Sequence, residues 1–399
     1  MATISMNSPR PNPAQPDHVA VLTPAGRGAV ASLNASGPTA AQVVQRHFQP
    51  HTAAGKARLA PGRIHVGLWR SAIPAETAAA LEAAEEVVVC RLESERFEVH
   101  CHGGSAAAQR IVADFLHDGC ALIPWHDWIA LDESDPIRAA ARRLLTSAQT
   151  ERTAMILLDQ YNGALAAALA EIEAALNTNS MDVAISQIDK LLARAGVGLH
   201  LVTPWKVVLA GPPNAGKSSL INALVGYQRS IVHSLPGTTR DALTAAAALD
   251  GWPVELIDTA GLRISADPLE VAGIARARQQ IAAADTTLLI FDAAQPWSDE
   301  SAALADEYPR ATILHNKIDL LARRSAGDAR QVALTDRPQG IATSALDGQG
   351  ISTLIRETIH RLIRSEPPPG AAVPFMASHI EALREAKGRA QRTLRPQPT

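Results

Sequence analysis

Gly211-Pro212-Pro213-Asn214-Ala215-Gly216-Lys217-Ser218 is the stretch on which the fold turns. It has the spacing GxxxxGK[ST]. An apolar run, Trp205–Ala210, precedes it and a helical pattern over 216–226 follows it, which is the context this spacing requires. A loop so placed turns its backbone N–H groups onto phosphate oxygens, and the dipole of the following helix adds positive potential. Asn214, Ala215, Gly216, Lys217, Ser218 and Ser219 would then surround the phosphates. Lys217 would bring a charge to the β and γ phosphates, and Ser218 a hydroxyl to Mg²⁺.

Three further motifs follow in order, each after a predicted strand. Asp258-Thr259-Ala260-Gly261 closes the run Val254–Ile257. An acid at a strand's C-terminal end can hold Mg²⁺ through water, and the glycine N–H can meet a γ-phosphate. Asn316-Lys317-Ile318-Asp319 closes Ala311–His315. There Asp319 would accept two hydrogen bonds from the ring N–H and amino group of guanine. Adenine lacks both donors in that arrangement and would leave the carboxylate unpaired. Asn316 would brace the loop, and the stem of Lys317 would pack over the base. Ser344-Ala345-Leu346 would offer a backbone donor to the guanine carbonyl. Together the four describe a GTP site. Between the first two lies Pro236-Gly237-Thr238-Thr239-Arg240-Asp241, a switch in which Thr239 would reach Mg²⁺ and Thr238 make a backbone contact. Arg240 can also be read as a built-in arginine finger.

Outward from the loop, buried strands alternate with helices, so residues 204–366 read as an α/β P-loop GTPase domain: a mostly parallel sheet with helices on both faces. Pro367-Pro368-Pro369-Gly370 follows as a stiff linker. Residues 371–399 read as one short helix, with Ser378 and Glu381 in capping-box spacing. They form the truncated C-terminal part of an all-helical domain whose first part is 126–203. In that first part Asp135-Pro136 starts a helix over Ile137–Leu176 with Gly163 its main breaker. Ser180 caps a second helix that Gly196 stops, so the two make an antiparallel hairpin. Residues 18–125, with β-like runs at His18–Leu22, Glu86–Leu92 and Phe97–His100, read as a small α+β domain. The polar residues 1–17, with four prolines, read as a disordered tail rather than a signal peptide.

The 399 residues carry a net charge of −3 and are 47% hydrophobic, which excludes disorder as a whole and confines any RNA contact to a local patch. No stretch approaches a membrane span. Cys90, Cys101 and Cys120, odd in number and without CxxC spacing, fit a reducing cytoplasm. His100 and His102 share one face of a strand, the spacing of a metal pair, but no further ligand cluster accompanies them.

Leu262 follows Gly261, where many GTPases carry a water-orienting glutamine. At this point the chain resembles the tRNA-modification GTPase family known as MnmE or TrmE. The resemblance rests on 214–224 (NAGKSSLINAL), 236–243 (PGTTRDAL), 258–263 (DTAGLR) and 269–281 (LEVAGIARARQQI), and extends to 23–38 and 98–104. It implies that Asn214 helps bind a K⁺ ion, caged further by His233, Leu235 and Thr238, in the place of an arginine finger. It implies Glu270 as the residue that orients the attacking water, through a second water, and dimerisation of the GTPase domains. It also implies a flavin-dependent partner protein and tRNA, whose wobble uridine is modified. The family's N-terminal α+β domain dimerises and holds formyl-tetrahydrofolate with an arginine, a glutamate and a lysine. Glu98 matches the glutamate, Asn34 stands at the arginine position, and the lysine segment reads HDWIALDESDPIRAAA over 126–141. The family's Cys-Ile-Gly-Lys tail has no counterpart after Cys120. These departures favour one alternative, a divergent paralogue acting as a regulatory or ribosome-assembly GTPase; a GTP-binding scaffold that does not hydrolyse is a further reading, against which Lys217, Ser218, Thr239 and Asp258 stand.

Overall fold

A computed structural model describes residues 17–24, 26, 28–51, 59–71, 84–93, 95–227, 244–259, 275, 277–324 and 336–394. The chain divides into two compact units at Arg143/Leu144.

In the N-terminal unit a seven-stranded sheet runs in the order β3-β4-β5-β6-β2-β1-β7. The strands are β1 (His18–Val21), β2 (Val30–Ser36), β3 (Phe48–Pro50), β4 (Ile64–Trp69), β5 (Glu85–Arg91), β6 (Arg96–His102) and β7 (Ala121–Leu122). Alternation puts Leu33, Val89, Val99 and Phe97 on one face. There they form a core with helices α1 (Pro38–His47) and α2 (Ser105–His117). A smaller cluster gathers Ala20, Trp128 and Ile129, the last two on helix α3 (Trp125–Asp132).

The predicted helix over Ile137–Leu176 is three helices: α4 (Pro136–Leu145), α5 (Glu151–Tyr161) and α6 (Ala164–Asn177). Asp135 caps the first through Ile137 N, at 2.8 Å. Thr150, buried, caps the second through Thr153 N. Gly163 enters the third with φ +102°. The reason for the extra break is local: a serine or threonine that bonds its own backbone competes with helix continuation. The hairpin partner α7 (Met181–Ala193) has Ser180 at its N-cap position. The hydroxyl makes no cap bond there; it lies 3.3 Å from the Thr178 hydroxyl. Nor does Gly196 stop that helix, which ends at Ala193; Gly196 sits inside the short helix α8 (Ala195–Leu199).

The segment after the linker is held by side chains. Gln160, fully buried on α5, donates to the Ala371 carbonyl (3.0 Å) and accepts from Val373 N (3.0 Å), while Arg194 donates to the Ala372 carbonyl. The last helix, α13 (Ala377–Leu394), is longer than expected and already includes Ser378. It packs along α7. Gln160→Ala strands a half-buried C=O and a buried N–H, at about 1–3 kcal/mol. With a sensitivity of roughly 2–4 °C per kcal/mol for a unit of this size, thermal unfolding should show the fall directly.

The GTPase sheet runs β13-β12-β11-β8-β10-β9. Strands β8 (Trp205–Ala210), β10 (Trp252–Asp258), β11 (Thr286–Asp292), β12 (Thr312–Asn316) and β13 (Ile341–Ala342) are parallel, and β9 (Thr244–Leu249) pairs antiparallel to β10. Helices α9 (Lys217–Tyr227) and α12 (Ile351–Leu362) pack together, and a separate cluster of Ala210, Leu289 and Phe291 is covered by Trp297 and by Leu304 of α10 (Asp299–Glu307). This is the P-loop GTPase fold, with helices on both faces of the sheet.

Candidate functional site

Because β8, β10, β12 and β13 run parallel, their C-terminal ends share one edge, and all four motifs arrive there. The 211–218 loop is shaped by its neighbours. Gly211 (φ +144°) lies against the Ile290 carbonyl and Gly216 (φ +92°) against the Asn316 amide, both too close for a Cβ. Asn214 sits exposed at the loop's tip with φ +60°.

Lys217 opens helix α9 and is only 8% exposed. Its ammonium donates to the carbonyls of Gly211 (3.2 Å) and Pro212 (3.0 Å), curling the loop around it. Burial lowers its pKa from the ordinary lysine value, partly offset by the Asp258 carboxylate. Ser218 donates to Asp258 Oδ2 at 2.5 Å, joining the first two motifs. The other oxygen, Asp258 Oδ1, is buried and has no hydrogen-bond partner among the described residues. A hydroxyl and a carboxylate with a spare buried oxygen form an oxygen donor set that suits Mg²⁺. Ser219 is exposed beside them. Thr259 turns away: it is buried, and its hydroxyl donates to the Leu209 carbonyl (3.0 Å).

Asn316 is buried and braces the loop. Its amide donates to the Ala215 carbonyl (3.0 Å), and its Oδ1 accepts from Ala345 N (3.2 Å) and the Thr343 hydroxyl (3.3 Å). Ala345 N, one of the backbone donors of the Ser344-Ala345-Leu346 stretch expected to meet the base, is thus engaged by Asn316 in this structure. Lys317 adopts φ +66°, and its ammonium reaches the Asn214 carbonyl (2.5 Å) and Asp292 Oδ2 (2.9 Å). Its stem is thereby stretched across the edge of the site. Asp319, half-buried at the start of α11 (Asp319–Arg324), accepts from the Ser344 hydroxyl (2.8 Å). Leu346, two residues after Ser344, is 73% exposed.

Asp292 and Thr343 join the site although they belong to none of the four motifs. A signal existed for Asp292, which ends a central strand at the same edge as the other motifs. His233, Leu235, Thr238, Thr239, Arg240, Ala260, Gly261 and Glu270 lie outside the described residues. Among the described residues, no cluster of His, Cys, Asp and Glu suits a metal ion, which covers His100 and His102. No described helix is long and apolar enough to cross a membrane.

Residues 206–320 match a family model described as 50S ribosome-binding GTPase. The tRNA modification GTPase MnmE of Chloroflexus aurantiacus is 33% identical over 92% of this chain and 86% of its own length. That of Desulfitobacterium hafniense is 31% identical over 78% of this chain and 74% of its own. The chain belongs to the MnmE family. It is a GTP hydrolase. Among solved structures, Era of Aquifex aeolicus bound to GDP and AlF4⁻ is similar over 41% of this chain and 58% of its own, at 24% identity and a TM-score of 0.31.

Proposed function

We propose that this GTPase acts in modification of tRNA at the wobble uridine, as a homodimer activated by K⁺, alongside a flavin-dependent partner protein. Family membership supports the tRNA role. The three free cysteines, Cys90, Cys101 and Cys120, support a cytoplasmic setting. One observation carries the site: the bonded pair Ser218 and Asp258, with the buried spare oxygen of Asp258, at the mouth of a loop whose lysine is already turned inward.

In this reading Ser218 and Thr239 hold Mg²⁺, with Asp258 acting through water, and Lys217 neutralises the β and γ phosphates. Thr259, Ala260 and Gly261 form the loop at the γ-phosphate, to which Gly261 gives its N–H. Thr259 contributes by fastening that loop to β8. Asp319 reads the guanine edge, and the Lys317 stem and Leu346 pack against the base. Asn214, exposed at the loop tip, is free to turn its side-chain oxygen to K⁺, completed by His233, Leu235 and Thr238. A monovalent cation there would supply positive charge between the β and γ phosphates, the service an arginine finger gives elsewhere. Glu270 orients water in the absence of a glutamine at Leu262.

GTP turnover is expected to be at least about tenfold faster in KCl than in NaCl, and Asn214→Ala to abolish that difference. Equal rates in both salts, with the variant unimpaired, would remove the ion from the mechanism. Loss of the wobble-uridine modification in a deletion strain, read by nucleoside mass spectrometry, checks the tRNA role. An unchanged profile would instead favour the regulatory or ribosome-assembly paralogue.

A further inference from the structure

The family resemblance implies a formyl-tetrahydrofolate in the N-terminal unit, held by an arginine, a glutamate and a lysine. At the arginine position β2 carries Asn34, fully buried and directly opposite Glu98 in the β2–β6 register. Its Oδ1 accepts from the Trp128 indole N–H at 2.9 Å, and its Nδ2 has no hydrogen-bond partner among the described residues. The Arg142 guanidinium lies 4.8 Å from the Trp128 ring centroid and binds Asp132 (2.5 Å) and Glu133 (3.1 Å). Asp132 is also bonded to Arg96. Glu98 faces His100, 3.6 Å away.

What remains beside Asn34 is a cavity of about 10 Å³, lined by His18, Ser36, Arg96, Trp128, Leu131 and Asp132. That is room for one water at most. A pteridine cannot enter it. Asn34 is neutral and has one donor group to offer, so it cannot replace a guanidinium that grips a carboxylate with two parallel bonds. The nearby arginines are already committed to Asp132 and Glu133. The donor set does not fit the cofactor.

We propose that this chain does not bind folate and that the place is closed by a brace of Asn34, Trp128, Arg142 and Asp132, which fastens α3 to the sheet. The brace joins the middle of β2, through Asn34, to α3 and α4, beside the Arg96–Asp132 ion pair from β6 and the small cluster around Ala20. The inference stands whether or not the chain serves tRNA, because it concerns only the N-terminal unit. Its consequence for the proposed function is that any one-carbon group would have to reach the reaction by another carrier.

Titration of the full chain with 5-formyl-tetrahydrofolate, followed by calorimetry, is expected to show no saturable binding up to about 1 mM, a limit of roughly −4 kcal/mol. The same sample must bind GDP, which establishes that the GTPase unit is folded, and show slow hydrogen exchange over β2 and β6, which establishes that the N-terminal unit is. Saturable binding in the micromolar range would overturn the proposal. Trp128→Phe keeps the ring but removes the indole donor, leaving both polar atoms of Asn34 unpaired. Unfolding of the N-terminal unit should then fall by at least roughly 4 °C, with faster hydrogen exchange over Trp125–Asp132 and unchanged GTP turnover. An unchanged midpoint and unchanged exchange in Trp128→Phe would show that no brace exists.

Discussion

Asp319→Asn is expected to cost the protein roughly 10⁴-fold in GTP affinity while creating affinity for xanthosine triphosphate. The argument is one of donors and acceptors. Ser344 donates to Asp319 Oδ1, which fixes the carboxylate plane and leaves its remaining lone pairs toward the base site. Guanine presents a ring N–H and an amino group, both donors, and a carboxylate accepts from both. An amide accepts one and sets its own N–H against the other, so a desolvated donor faces a donor. Xanthine carries a carbonyl where guanine carries the amino group, and this pairs with the amide N–H. Because Asn316 rather than Asp319 braces the loop, through the Ala215 carbonyl and Ala345 N, the substitution leaves the scaffold standing. Titrating fluorescent GDP and xanthosine diphosphate against both proteins separates the outcomes. GDP affinity within tenfold of the parent would mean that Asp319 does not touch the base.

The nucleotide edge was legible because each motif is contiguous and each follows an apolar run that could only be a buried strand. Geometry was hidden where it depends on residues far apart in sequence. Asp292, at the end of β11, reaches Lys317 just past the end of the adjacent strand β12, and Thr343 reaches Asn316 across a crossover; neither is part of a recognisable spacing. Strand β9 reads as an alanine run of weak strand propensity. It forms because the Asp250-Gly251 turn, with φ +49° and +77°, folds it back on β10, and an Asp-Gly pair is a hairpin signal that could have been weighed. Gly196 misled for a different reason. The tight position in that helix is Gly198, which lies against the Pro374 carbonyl and so serves packing against the returning chain, whereas a Cβ at Gly196 would meet only the Trp205 ring at ordinary contact distance. In the N-terminal unit the replacement of an arginine by Asn34 was visible from the resemblance, but its partner, Trp128, is 94 residues away and only the fold brings them together.

Lys217→Ala is expected to lower GTP turnover by about 10²–10³-fold, more in kcat than in KM. The ammonium is nearly sealed from solvent, and its only hydrogen bonds among the described residues are to two carbonyls of its own loop. Burial works against its charge, while the Asp258 carboxylate acts in the other direction. A cation held this way is poorly compensated until phosphate oxygens arrive. The charge it meets there grows as the bond to the γ-phosphoryl group loosens, so the interaction is stronger in the transition state than in the bound ground state. That difference is why the loss should fall on kcat. Removing the side chain also leaves the buried Gly211 and half-buried Pro212 carbonyls without these bonds, but water entering the space the side chain vacates can pair with both, so the fold should survive. Lys217→Arg provides the discriminating control: it keeps the charge, but a planar fork of donors cannot occupy the space in which a single ammonium is ringed by the loop. Turnover should stay low in both variants, with the unfolding midpoint close to the parent's. Rescue by arginine would mean that charge alone matters and that the curled loop contributes nothing. Undiminished turnover in Lys217→Ala would place hydrolysis somewhere other than this edge of the sheet.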